Sequence, residues 1–344
     1  MRRRPPSLLL WVGLVAACVP ASASPSEAPT GSAAASAPAS VAPAGPSAHL
    51  LGDGPVLDGP HVGADYILPG ALTWANEAYH LWGRTFTEEE GHPSRGVYAT
   101  STDAMIWTVA DGDPFASIGL DLFDPGPIPS TVLLEPDGSG LMYLWGLPTE
   151  GTAVFYRATA PAPEGPWVAD PEPVLTPTSG EWDGGGIDFP SVIRTDEGYL
   201  MLYSAWRLSE PNSNTVGMAT SLDGIEWIKS AGPVIEPGLC GEFDARSIAT
   251  PRLRDAGDGW YLLYNGLSDD LNAGAAVGIA WTPDLRTWSC ANAAPALVHT
   301  EIPGSEGIHS IAVAADARGP ELLVESLEPG RSELWLADLS MPAP

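Results

Sequence analysis

Ser221-Leu222-Asp223-Gly224-Ile225-Glu226-Trp227 decides the fold, because the stretch recurs. Ser101-Thr-Asp103-Ala-Met-Ile-Trp107 and Thr282-Pro-Asp284-Leu-Arg-Thr-Trp288 repeat its pattern with different apolar filling. In each copy a Ser or Thr hydroxyl and the Asp carboxylate two residues on can bond turn amides, while the Trp packs on a neighbouring strand. Ala160-Pro-Ala-Pro-Glu-Gly-Pro-Trp167 puts a Pro/Gly turn in the same place, so Trp107, Trp167, Trp227 and Trp288 are spaced 60, 60 and 61 residues apart.

Outward from these turns the rest of the unit is legible. A short strand precedes each turn (Val97-Tyr-Ala99, Val154-Phe-Tyr156, Val216-Gly-Met-Ala219, Val277-Gly-Ile-Ala280), and a fifth copy is Leu334-Trp-Leu-Ala337. Before those lie apolar runs such as Leu141-Met-Tyr-Leu-Trp145 and Tyr199-Leu-Met-Leu-Tyr203, and after each turn comes a proline-led strand beginning at Pro114, Pro173, Pro233 or Pro295. A further proline-led copy, Gly54-Pro55-Val56-Leu57, opens the folded region, while the last unit ends without one. The spacing predicts an all-β, five-bladed propeller of four-stranded antiparallel blades, with 54–58 joining the last blade as its outer strand. An open solenoid would need capping units and has no reason to split one repeat between the two ends. Sialidase-type propellers carry Ser-x-Asp-x-Gly-x-x-Trp, one residue longer than this turn.

Across 344 residues, 15 Lys and Arg face 43 Asp and Glu, a net charge of −28, which excludes a nucleic-acid partner because phosphates need a basic surface. The chain starts with Arg2-Arg3-Arg4 and an apolar run of ten, Leu8 to Ala17, which reads as an export signal over 1–17. The run is too short to span a bilayer, which takes about 20 residues. Val15-Ala16-Ala17-Cys18 resembles a bacterial lipobox, so Cys18 is expected to be lipidated and the protein anchored to the cell surface, its only membrane attachment. The alternative is cleavage after Ala21-Ser22-Ala23 and free secretion. Residues 18–48, rich in Ala, Ser and Pro, read as a disordered tether, and 49–344 as one propeller domain, expected to be monomeric.

Function is sought where the repeat breaks its own symmetry. Superposing the units on their strand prolines puts Ile67, Pro127, Asp188, Ala249 and His309 in one ring around the channel, two of them polar. Asp183 and Asp244 each lie five residues before a ring position, which suits either a structural or a substrate-facing role. Arg246 has Gly185 as its counterpart, Asp65, Asp121 and Asp124 sit on the approach in the first two blades, and loops on the channel face carry Arg84, Glu88–Glu90, His92, Trp206 and Arg207. Trp206 and Trp82 are either sugar-stacking platforms or core residues.

The blade repeat, and especially Gly186-Ile-Asp188-Phe-Pro-Ser-Val-Ile followed by Gly198-Tyr-Leu-Met-Leu-Tyr203, resembles the five-bladed glycosidases of family 43 and relatives (arabinanases and β-xylosidases). The resemblance covers 54–344 as architecture and short stretches as motif. It implies an Asp base in blade one, an orienting Asp in blade three and a Glu acid in blade four. Asp188 matches the orienting Asp. Glu306-Gly-Ile-His309 looks like the acid's Glu-Gly-Pro but sits one blade late, Ala249-Thr-Pro251 stands where that Glu belongs, and Asp65 is the nearest candidate base. The triad is therefore not intact. Ile308-His309-Ser310 is similar to the family's blade-five motif at an axial calcium, so His309 is expected to help hold calcium or water, with no cofactor required for chemistry.

Two functions follow as expectations. One is a surface-tethered glycoside hydrolase acting on polysaccharide or oligosaccharide that contains pentose or furanose, with Asp188, Glu306 and Asp65 as its catalytic carboxylates. Arg246, Trp206, Arg207, Asp183 and Asp244 would bind its substrate. The other is a non-catalytic propeller that binds glycan or protein. If Cys18 carries lipid, Cys240 and Cys290 remain as an even pair in an oxidising setting. Their places relative to Trp227 and Trp288 tend toward opposite blade faces, while the longer spacing after Trp288 allows a bulge that brings them together, and the pairing stays open.

Overall fold

The computed structural model describes residues 46–87, 94–122, 126–148, 151–270, 273–314 and 322–340. The expected signal, Cys18, most of the tether, Glu88–Glu90, His92 and Asp124 lie outside them. Five antiparallel sheets follow one another along the chain. From the inside outward, blade one is Tyr66–Ala75, Ala78–Phe86, Arg95–Ser101 and Thr108–Val109. Blade two is Ile128–Leu134, Gly140–Gly146, Val154–Ala160 and Val168–Ala169. Blade three is Gly186–Thr195, Gly198–Trp206, Thr215–Ser221 and Ile228–Lys229. Blade four is Ser247–Asp255, Trp260–Leu267, Ala275–Thr282 and Ser289–Cys290. Blade five is Gly307–Val313, Leu322–Glu328 and Arg331–Ser340.

The N-terminal segment completes blade five, as expected for a closed ring. Leu57 and Asp58 pair with Leu334 and Glu333. An additional strand, Ser47–Leu50, pairs with the far end of the same partner, Ser47 opposite Ser340, so the folded edge starts inside the stretch read as tether. Five apolar clusters fill the gaps between successive blades, including the gap between blades five and one, where Leu323, Leu334 and Leu336 meet Leu81 and Val97. Such burial, at about 25 cal/mol per Å² of apolar surface, is what holds the ring together.

The repeated turn works as its chemistry requires. Asp103 accepts from the amides of Met105 and Ile106, Asp223 from Ile225 and Glu226, and Asp284 from Arg286 and Thr287, all within 3.0 Å. Those amides hold the three carboxyls below the ordinary range. In blade three the turn also locks to its neighbour: the Tyr143 hydroxyl donates to Gly224 O at 2.9 Å, and its ring meets Trp227 edge-on.

The outer strands differ from the expectation. The first piece pairs directly after each Trp, and the proline-led segment returns as a second, shorter contact on the same third strand. Val216 bridges to Ile235, Phe155 to Leu175, and Leu297–Val298 pairs with Ala276 and Val277. Proline has no amide to give to a ladder, so the edge breaks at the turn before it. Cys240 and Cys290 are joined by a disulfide with Cα atoms 5.0 Å apart. The segment leaving blade three runs beside the third strand of blade four, where Cys240 Sγ lies 3.7 Å from Ile279 O, and so reaches Cys290.

Candidate functional site

All five inner strands carry a β-bulge, and these bulges set what reaches the channel. The last regular pair before the bulge uses Pro69, Pro129, Asp188, Ala249 and Ile308, and the first after it uses Ala71, Thr131, Ser191, Arg252 and Ser310. The ring anticipated from the prolines is therefore corrected: Ile67 and Pro127 lie two residues early, and His309 is itself the bulge residue. In blades three and four the bulge takes two residues, Phe189-Pro190 and Thr250-Pro251, with Phe189 and Thr250 in left-handed conformation at φ 48° and 50°. Non-glycine residues there are strained, and bulges of this kind re-aim side chains beside functional sites.

Arg252 is the group that the proline superposition missed. Small or short polar residues stand at its register in the other four blades, and its side chain fills the room they leave. It is 4% exposed. Nε donates to Ile311 O of blade five at 3.0 Å, one terminal nitrogen to Pro251 O at 3.1 Å and the other to Gly70 O of blade one at 3.3 Å. The guanidinium carbon lies 5.7 Å from the centre of the Phe189 ring of blade three. One side chain thus touches four blades. Gly70 itself lies hard against blade two, where a Cβ would meet Pro129 O at 2.3 Å.

Asp188, 2% exposed, shares this charge environment. Burial pushes its carboxyl up to about 7, against the Ser204 hydroxyl bonded to it and the charges of Arg252 and His309, which hold it down. Its Oδ1 has no partner within the chain. His309 keeps 35% of its side chain exposed, and its Nδ1 lies 2.9 Å from Oε2 of Glu325, which is buried in the second strand of blade five. Burial opposes charge on this imidazole, but the Glu325 carboxylate, helped by Asp188, outweighs it and the pKa is raised. Glu325 also breaks the repeat, because Trp82, Tyr143, Leu202 and Leu263 occupy the corresponding paired position. Other buried polar atoms without a partner in the chain gather on the same strands: Ser130 Oγ, Thr250 Oγ1, Asn265 Oδ1, Ser310 Oγ and Ser326 Oγ. The channel wall is polar, charged and buried at the level of the bulges.

The remaining sequence candidates fall elsewhere. Asp183 is 1% exposed; one carboxylate oxygen accepts from Thr178 N and the other is ion-paired with Lys229, the chain's single lysine. Asp244 is fully buried, accepting from Cys240 N, Gly241 N and the Tyr264 hydroxyl. Both carboxylates are buried and bonded within the chain at the entrances to their blades. Trp206 is buried over Gly185 and Gly186, and Trp82 is fully buried with its indole N–H on Pro163 O, so neither is a stacking platform. Asp65 accepts from the Thr87 hydroxyl at 2.8 Å, Glu306 is exposed where blade five begins, and Arg246 is half-buried at the entrance to blade four. Glu325, rather than Glu306, is the blade-five acid that pairs with His309.

Among the described residues no three His, Cys, Asp or Glu side chains come together as a metal site. His309 Nδ1 is already engaged by Glu325, and the positive charge beside Asp188 is a guanidinium.

Fold and channel define a five-bladed propeller with a charged axial site. No family model matches the chain, and no curated protein does. Solved structures match over most of their length, and they include glycoside hydrolases. A thermostable family-43 glycoside hydrolase aligns at 13% identity with a TM-score of 0.60, covering 79% of this chain and 89% of that one. A family 117 glycoside hydrolase produced by the marine bacterium Zobellia galactanivorans aligns at 16% and 0.57, covering 81% and 86%. A glycosyl hydrolase from Bacteroides ovatus aligns at 18% and 0.58, covering 82% and 85%. The fold expected from the sequence, and its likeness to propeller glycosidases, are thus shown.

Proposed function

We propose that the chain is a glycoside hydrolase-like protein that takes a carbohydrate at the channel mouth. The observation that carries this is the pair of titratable groups with displaced protonation, Asp188 and His309, on inner strands of one propeller channel. Groups whose environments push their protonation in useful directions are the hallmark of acid–base sites. A carboxyl near half-protonation at neutral pH can give its proton to a leaving glycosidic oxygen. Glu325, whose Oε2 lies 2.9 Å from His309 Nδ1, would supply the complementary negative charge to an oxocarbenium-like transition state or the base for an attacking water. In the same proposal the domain works outside the cell as a monomer, anchored through a lipid on Cys18.

A second reading, a glycan-binding propeller without turnover, is favoured by Ala249 standing where the resemblance places the acid. A panel of aryl-glycosides and pentose- or furanose-containing polysaccharides, assayed for released sugar, separates the two. Hydrolysis is expected with the wild type and a loss of at least two orders of magnitude in Asp188→Asn. Saturable binding with no release from any substrate would establish the second reading instead.

A further inference from the structure

A cavity of about 230 Å³ opens on blade three, and none of its lining residues belongs to an inner strand. It is lined by Trp182, Arg207, Glu210, Ser213, Thr215 and Glu236, with two prolines closing its edge. Its walls come from three separate segments: the loop entering the blade, the loop after the second strand, and the proline-led outer edge. Each is fixed from behind. Trp182 stacks on Tyr203 with ring centres 6.1 Å apart and planes 25° from parallel. It also lies over Gly217, where a Cβ would come within 2.5 Å of the indole. The next residue, Asp183, is pinned by Lys229, which also donates to Thr176 O and the Thr178 hydroxyl. The outer edge is held by Val234 N on Val216 O at 2.8 Å.

Most of the polar groups, by contrast, stay open to solvent, although the Thr215 hydroxyl donates to Ala205 O at 3.2 Å. Arg207 and Glu210 keep about half of their side chains exposed and meet only at 3.8 Å, and Glu236 is exposed. An aromatic surface held rigidly behind a guanidinium, two carboxylates and two hydroxyl-bearing side chains is suited to a ring with one apolar face and several hydroxyls at its rim. The guanidinium works against a metal cation, and the excess carboxylate works against an anion. A neutral sugar ring fits the remaining specification. The volume lies below the roughly 300–1,000 Å³ typical of pockets that enclose a whole ligand, so one ring enters while the rest of the chain stays in solvent.

We propose that this cavity is a second carbohydrate site, holding one neutral sugar ring of a polymer, separate from the axial channel. The proposal rests on the carbohydrate reading of the channel but uses none of its residues. It would let the protein hold a polysaccharide at two points, raising the effective concentration of chain at the channel mouth.

Affinity electrophoresis of the folded protein tests it, with gels containing soluble arabinan, arabinoxylan or β-mannan. The wild type should be retarded in at least one gel. Trp182→Ala should reduce that retardation at least fivefold, and so should Arg207→Ala combined with Glu236→Gln, a pair of exposed changes that leaves the core untouched. Asp188→Asn should remain retarded whether or not it has lost turnover, which separates this site from the channel. An unretarded wild type in all three gels, wild-type retardation in the cavity variants, or loss of retardation in Asp188→Asn would each overturn the proposal.

Discussion

Replacing Asp188 by asparagine should stabilise the protein, and by an amount that depends on pH. The carboxyl is buried, and its pKa rises from an ordinary 3.8 to about 7. At about 1.4 kcal/mol per pH decade, that displacement corresponds to up to about 4 kcal/mol. An acid whose folded pKa exceeds its unfolded one binds more protons when folded, so stability falls as pH rises from about 4 to about 7 and then levels. Asparagine is nearly isosteric and never ionises. Wild type and Asp188→Asn should therefore have similar stability at pH 4, and the variant should pull ahead steadily to pH 7 and hold its lead at pH 8. Urea midpoints at pH 4, 5.5, 7 and 8, with the slope checked for constancy, measure this directly. His309 titrates in a neighbouring window. Its raised pKa contributes stability that is present below 6.5 and lost as pH rises through the folded value. Repeating the series in a His309→Gln background isolates Asp188. A difference between wild type and variant that is flat with pH, or that grows toward acid, would refute the assignment of Asp188 as a buried, displaced carboxyl.

Four further outcomes are expected. Reducing the Cys240–Cys290 bond, which spans 50 residues, should cost about 4 kcal/mol on the chain-entropy account, read as a lower urea midpoint in dithiothreitol that Cys240→Ser/Cys290→Ser reproduces. Removing residues through Leu57 should strip blade five of its outer pairing and expose the edge of Arg331–Ser340, giving aggregation by light scattering. Lys229→Met should strand the buried Asp183 carboxylate at a cost of about 3–5 kcal/mol, read as a lower urea midpoint. Because Arg252 supplies the axial positive charge, the melting temperature should be the same in calcium chloride and in EDTA; a calcium-dependent rise would restore a metal to the axis.

Much of the fold was legible because its signal is local. The Asp103, Asp223 and Asp284 turns do their hydrogen bonding within a few residues, and a Trp packed on the next strand keeps its spacing from blade to blade. The channel was harder to read, for a definite geometric reason. Counting from prolines 55, 114, 173, 233 and 295 presumes that every inner strand advances evenly. From those prolines to the last regular pair before the bulge the chain instead runs 14, 15, 15, 16 and 13 residues (Pro69, Pro129, Asp188, Ala249 and Ile308), so no single count reaches the same register in every blade. The same symmetry criterion, applied at the register after the bulge, singles out Arg252 among Ala71, Thr131, Ser191 and Ser310. Glu325 carried its own signal, a carboxylate ending the apolar run Leu322–Val324. Asp183 and Asp244 show the opposite limit: an acid before a glycine-rich blade entrance reads identically whether it faces a ligand or ties down a loop, and only its partners distinguish the two.

The pairing of Ser47–Leu50 and Leu57–Asp58 with Arg331–Ser340 imposes a schedule on biosynthesis. Blades one to four use strands that are near neighbours in the chain and can assemble as they emerge. The segment around residues 47–58 must wait for nearly three hundred more residues before its partner exists, so the ring stays open until Arg331–Ser340 has been made. Contacts of such long separation are the slow ones, so closure of the ring by residues 47–58 is expected to come late in folding. Agents acting during that interval, such as a chaperone or a protease, would find their target in the segment around residues 47–58.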